Sequence, residues 1–128
     1  MERDGFRHGF DPTKWEAGKQ EARAIIYETA RRRSTISYSD LVAQISSVLL
    51  EAYDVRLDHF LGEIAREDDD AGLGLSTVLV VHKSGDLKPG PGFFEMAESQ
   101  GRDIADPLEF WSEELSSVHD HWASRRKR

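Results

Sequence analysis

One run of eight residues limits the folds open to this chain. Ser76-Thr77-Val78-Leu79-Val80-Val81-His82-Lys83 is nearly continuous in apolar and β-branched residues. That is the composition of a strand buried on both faces for part of its length. It is the strongest strand signal in the chain, and the segments around it repeat at helical spacing instead. The expectation is therefore an α+β fold, mostly helical, with a small sheet.

The helices announce themselves by their starts. Asp11-Pro12 pairs a capping residue with a proline suited to the first helical position. Trp15, Ala22, Ile25, Ile26 and Thr29 then recur on one face, and the helix is predicted to run to about Arg33, where three arginines suit the negative end of the helix dipole. Ser34–Tyr38 reads as a brief strand. Ser39 is predicted to cap a second helix with Leu41, Val42, Ile45, Val48 and Leu49 inside, broken at Ala52-Tyr53-Asp54. Asp54 caps a third, where Leu57, Phe60, Leu61, Ile64 and Ala65 form a buried stripe. Glu67–Gly72 reads as a solvated acidic turn. Residues 84–92 form a loop of turn residues, Phe93-Phe94 a short return strand, and Glu95–Gln100 a short helix with Gly101 past its end. Asp106-Pro107 repeats the cap-then-proline signal. Leu108, Trp111, Leu115, Val118 and Trp122 then make a narrow seam, to be covered by the first helix or by a second copy of the chain as a homodimer.

At 128 residues the chain suits one domain. The expected division is a flexible arm over 1–10, which Phe6 and Phe10 can dock, one globular domain over 11–124, and a basic tail over 125–128. No apolar run approaches the length of a membrane helix, and Met-Glu-Arg-Asp-Gly-Phe lacks the apolar stretch of a signal peptide, so a cytoplasmic protein is expected. The absence of cysteine excludes a disulfide scaffold, a thiol nucleophile and Cys-ligated metal sites. The net charge of −7 is concentrated in residues 34–100, which hold 12 Asp/Glu against 4 Lys/Arg. Duplex DNA is gripped largely by neutralising phosphates, so an acidic middle favours a protein partner with a basic face.

The order of elements from residue 12 to 94 is that of a winged helix: three helices and a small sheet whose hairpin is the wing. On this reading residues 40–51 support and residues 56–67 form the recognition helix. Ser37-Tyr38-Ser39-Asp40-Leu41-Val42, His59-Phe60-Leu61-Gly62 and Val80-Val81-His82-Lys83 followed by Gly85 resemble, in order, three stretches of the DNA-binding domain of O6-alkylguanine-DNA alkyltransferases and alkyltransferase-like proteins. The resemblance spans roughly residues 35–93 and implies a fold and a DNA-facing third helix. It does not imply the activity. The nucleophilic cysteine position is Val81, and alkyl transfer consumes a thiolate. The finger arginine position is His59, and Asp58, Glu63, Glu67 and Asp68 surround it with negative charge.

The candidate contact residues for a partner or for DNA are Tyr38, Asp58, His59, Glu63, His82, Lys83, Lys88, Pro89 and Gly90. His59 and Glu63 are four apart on a helix, the spacing of a surface hydrogen-bonded pair. His82 ends the apolar run, where a structural histidine is expected. Lys88-Pro89-Gly90-Pro91-Gly92 admits close approach of another backbone, or folds back on Phe93 and Phe94. No metal or cofactor is implied. His119-Asp120-His121 puts its imidazoles on different sides of a helix, at an end expected to be solvated. Asp68–Gly72 lacks the acidic twelfth position of a calcium loop, which is Leu79. The favoured function is a non-enzymatic, winged-helix-like adaptor or regulatory module that binds a protein through an acidic surface, as an antitoxin or immunity protein masks a basic nuclease. The alternative is a DNA-binding protein using helix 56–67 and the 84–92 loop, with Arg31–Arg33, Lys83, Lys88 and the tail on phosphates. A third reading is an enzyme joining His82 to a carboxylate assembled in space.

Overall fold

A computed structural model of the chain describes residues 9–52, 54–83 and 89–123. It is mostly helical: α1 (Pro12–Arg31), β1 (Ile36–Ser37), α2 (Tyr38–Ala43), α3 (Val55–Asp70), a 3-10 turn (Ser76–Leu79), β2 (Val80–Val81), α4 (Pro91–Ser99) and α5 (Pro107–Ala123). No helix among the described residues is long and apolar enough to cross a membrane. Residues 1–8 of the expected 1–10 arm, residue 124 with the tail over 125–128, Tyr53 and the loop residues 84–88, Lys88 among them, lie outside the described residues.

The core forms where α1 and α3 lie against the 3-10 turn, with α5 closing over the same turn. Trp15, Ala22, Ile26 and Ala30 of α1 meet Leu57, Phe60, Ile64 and Ala65 of α3, and all are essentially without solvent contact. Trp15 packs edge-on to Phe60, centroids 5.1 Å apart. Phe10 stacks on Trp15, centroids 5.7 Å apart. The seam on α5 is covered by its own chain. Trp111 donates its indole N–H to the Val78 carbonyl at 2.9 Å, Val118 is buried, and Trp122 stacks on Tyr27 with centroids 4.1 Å apart. Leu108 alone of the five stays largely exposed, at 55%.

Several expectations need correction. The run 76–83 is not one strand: four residues coil into a 3-10 turn and only Val80 and Val81 are extended. Leu75–Val81 are buried on every side, and such a run is equally compatible with either backbone. Phe93 and Phe94 belong to α4 rather than to a return strand. β2 pairs instead with β1, in parallel, with Ile36 opposite Val80 and Ser37 opposite Val81. Finally, the second helix ends at Ala43. The Ser46 and Ser47 backbone N–H groups and hydroxyls all donate to the Glu21 carboxylate on α1. That turns the chain out of the helix, burying Ile45, Val48 and Leu50 and leaving Leu49 82% exposed. Its cap is Ser37, whose hydroxyl accepts from the Asp40 N–H, not Ser39.

Much of the acidic middle is consumed inside the fold. Lys19 is fully buried and reaches Glu63 at 3.0 Å, Glu67 at 2.9 Å and Glu16 at 3.2 Å. Burial depresses its ammonium, but the bonds from Glu67, Glu63 and Glu16 outweigh that and hold its pKa above the ordinary value. Asp68 accepts from Arg23, Tyr27 and Ser76. Asp69 accepts two N–H bonds from Arg102, at 2.7 and 3.1 Å. The acidic stretch expected as a solvated turn is thus the last turn of α3, pinned to α1 and to the segment after α4. His119 is likewise not at a solvated end: its Nε2 donates to the Ser34 carbonyl at 2.9 Å, and the residue is buried.

Candidate functional site

The most developed concave surface holding nominated residues runs along the contact of α3 with α4. Three depressions adjoin there. One is lined by Tyr38, Asp54, Asp58, His82, Gly90, Pro91 and Gly92. A narrow central one reaches Leu61, Thr77, Phe93 and Met96. The third lies between Val55, His59, Gly62, Arg66, Glu95 and Met96. Asp58 and Gly92 border all three. The outer two hold about 160 and 300 Å³.

Each wall has a local cause. Tyr38 opens α2 directly after β1, so the parallel pairing with β2 sets it beside His82, with ring centroids 5.1 Å apart and planes tilted by 50°. The Tyr38 hydroxyl accepts the Gly90 N–H at 2.9 Å. This bond fastens the entry of α4 to α2. Burial pushes the Tyr38 phenol above its ordinary pKa, the Gly90 N–H lowers it, and the nearby Asp58 charge raises it further. The phenol is therefore a neutral hydrogen-bonding group and not a base at neutral pH.

Asp58 lies in the first turn of α3, where a carboxylate is favoured by the helix dipole. Its carboxyl group abuts α4 so closely that a Cβ on Gly92 would lie 3.3 Å from it. A Cβ on Gly90 would lie 3.2 Å from His82 Nε2. The Pro-Gly-Pro-Gly sequence thus has a steric role: it brings the start of α4 down onto α3 and the end of β2.

Of the nine nominated residues, Tyr38, Asp58, His59, His82 and Gly90 come together in this groove. Pro89 is buried just before it. Glu63 does not join them. It faces α1, taking the Trp15 indole N–H at 2.8 Å and the Lys19 ammonium. Lys83 projects outward, 3.9 Å from Asp40. Sequence reasoning missed Val55, Glu95 and Met96, while Gly62 and Arg66 entered only within helix 56–67 and Gly92 only within the 84–92 loop. The one available signal was the second glycine of the Pro-Gly-Pro-Gly run.

A roomier concavity of about 570 Å³ lies between the α4–α5 connection and the start of α5, lined by Asp103, Asp106, Glu109, Phe110, Glu113 and Glu114. Several of its carboxylates already have internal work. Asp103 and Asp106 accept the Ala105 and Glu109 N–H groups, and Glu114 accepts the Leu75 N–H.

No family model, curated protein or solved structure matches the chain. The site is therefore read from its own chemistry.

Proposed function

We propose that the protein is a non-enzymatic recognition module that binds an extended segment of a protein partner in the α3–α4 groove. One observation carries this reading: residues from four separate elements converge on a continuous groove whose centre is the exposed carboxylate of Asp58. Exposed Val55 supplies an apolar rim, at 65% exposure. In this reading α2 and α3 act as a helix-turn-helix pair turned to protein recognition, and the winged-helix resemblance belongs to the same proposal.

Charge favours this over DNA. Among the described residues, the basic groups that would meet phosphates each stand near a carboxylate of their own chain: Arg31 and Arg32 near Glu28, Arg33 near Asp120 and Lys83 near Asp40. A carboxylate stands where the start of α4 would otherwise attract an anion. Enzymatic use of His82 finds little support either. No hydrogen bond joins His82 to Asp58 among the described residues, and general acid–base work needs that geometry first.

The test is selection of short peptides from a random display library on the wild-type protein and on Asp58→Lys. Enriched peptides are expected to be basic, to shift amide resonances of α3 and α4, and to be lost on the variant. Peptides that bind both proteins equally would refute the groove. So would tight, salt-sensitive binding of duplex DNA mapped to the same helices.

A further inference from the structure

We infer that the cleft between Tyr38, His82 and Asp58 is a receptor for a guanidinium group, carried by an arginine of the partner segment. The inference rests on the groove reading in placing that segment, and the cleft's own chemistry carries the rest.

Three features select the ligand. First, the cleft offers a carboxylate that has no counter-charge among the described residues. Asp54, the other carboxylate on its wall, is taken by Arg56 through contacts of 2.7 to 3.1 Å. Asp58 has no hydrogen-bond or ion-pair partner among the described residues. A carboxylate accepts two parallel N–H bonds from a guanidinium, a geometry an ammonium cannot reproduce. Second, the cleft is also lined by aromatic rings. The Tyr38 and His82 rings stand side by side, and planar cations stack on such rings. Third, there is room: at about 160 Å³ the cleft can take about five waters. A guanidinium and its adjoining methylenes fit that space.

The chain holds guanidinium groups in the same manner elsewhere. Arg56 lies over the Phe10 ring at 4.8 Å while pairing with Asp54. Arg31 lies over Trp122 at 5.1 Å while pairing with Glu28. At the cleft the ring and the carboxylate are present without a cation among the described residues, and the partner segment would supply it. An anionic ligand is disfavoured by Asp58 and a wholly apolar one by the desolvation it would impose on that carboxylate.

The experiment is a titration of the full chain with N-acetyl-arginine amide, followed by amide and Tyr ring resonances at constant ionic strength. N-acetyl-citrulline amide, which keeps the shape without the charge, is the comparator. Arginine amide is expected to shift Tyr38, Gly90 and Gly92 in a saturable way. Citrulline amide is expected to bind at least tenfold more weakly, and Asp58→Asn to abolish the difference. Equal responses to the two probes, or no response to either, would overturn the inference, and the comparison on the wild-type chain needs no variant to fold. If groove-binding peptides are selected without an arginine requirement, the guanidinium site falls and the groove stands. If arginine amide binds and no peptide is selected, the reverse holds.

Discussion

An ammonium taken wholly out of water needs negative charge around it, and Lys19 has three carboxylates within 3.2 Å. Replacing it by methionine keeps the volume but leaves Glu63 and Glu67 facing each other across an apolar gap. Both are partly exposed, so water recovers some of the loss. Lys19→Met is expected to lower stability by about 2 kcal/mol in urea unfolding. Tyr38→Phe removes the acceptor of the Gly90 N–H. It should cost about 1 kcal/mol and raise amide exchange at the start of α4. At this scale the sequence was only half legible. Tyr38, Asp58 and His82 could be nominated from residue type and local pattern. The bonds of Glu63 to Lys19 and Trp15 could not, because those residues lie on a helix that meets α3 only through tertiary packing.

Helix starts and stripes could be read directly, since caps and periodicity are local. The ends share one device. After α1, α3 and α4 the chain turns through a left-handed residue, at Arg33, Gly72 and Gly101. The following N–H then bonds back to the carbonyl of Thr29, Asp68 or Ala97, the pattern of a Schellman motif. Arginine bears a steric cost there that glycine does not. Its ion pair with Asp120 is exposed on both sides and worth little. Arg33→Gly is therefore expected to raise stability by about 0.5–1 kcal/mol in thermal unfolding. Gly18 in mid-α1 predicts the opposite sign. Alanine there gains helix propensity, but its Cβ would lie 2.8 Å from a methyl of buried Val48. Gly18→Ala is expected to lose about 1–2 kcal/mol, with Val48→Ala in the same chain relieving part of it. The elements misread from sequence, the 76–83 run and the far half of the second helix, were those whose form depends on a distant group. Trp111 and Asp68 hold the 3-10 turn, and Glu21 draws residues 46–47 out of helix.

For the molecule as a whole, the paired charges set a pH window. Burial raises the Glu67 pKa, but bonds from Arg23 and Lys19 bring it below the ordinary value. Arg102 above all lowers that of Asp69. Carboxylates depressed in the folded state contribute stability above their unfolded pKa values near 4, and that contribution is lost as pH falls through the folded ones. Lys19, Tyr27 and Tyr38 are shifted upward. They contribute below about pH 10 and lose that contribution as pH rises beyond it. The Tm is expected to be flat from about pH 6 to 9 and to fall on both sides, with Arg102→Ala shrinking the acid-side drop, as calorimetry can read. The charge total was legible in composition, but its cancellation inside the fold was not. The two-residue parallel pairing also governs how the chain reaches its native state. Joining Ile36–Ser37 to Val80–Val81 closes a loop that contains all of α2 and α3, and long closures form after local contacts. Val80→Ala should hasten unfolding and leave the refolding rate nearly unchanged, whereas Leu57→Ala in α3 should slow refolding. The groove, whose Tyr38 wall depends on that pairing, would then be among the last features of the molecule to form.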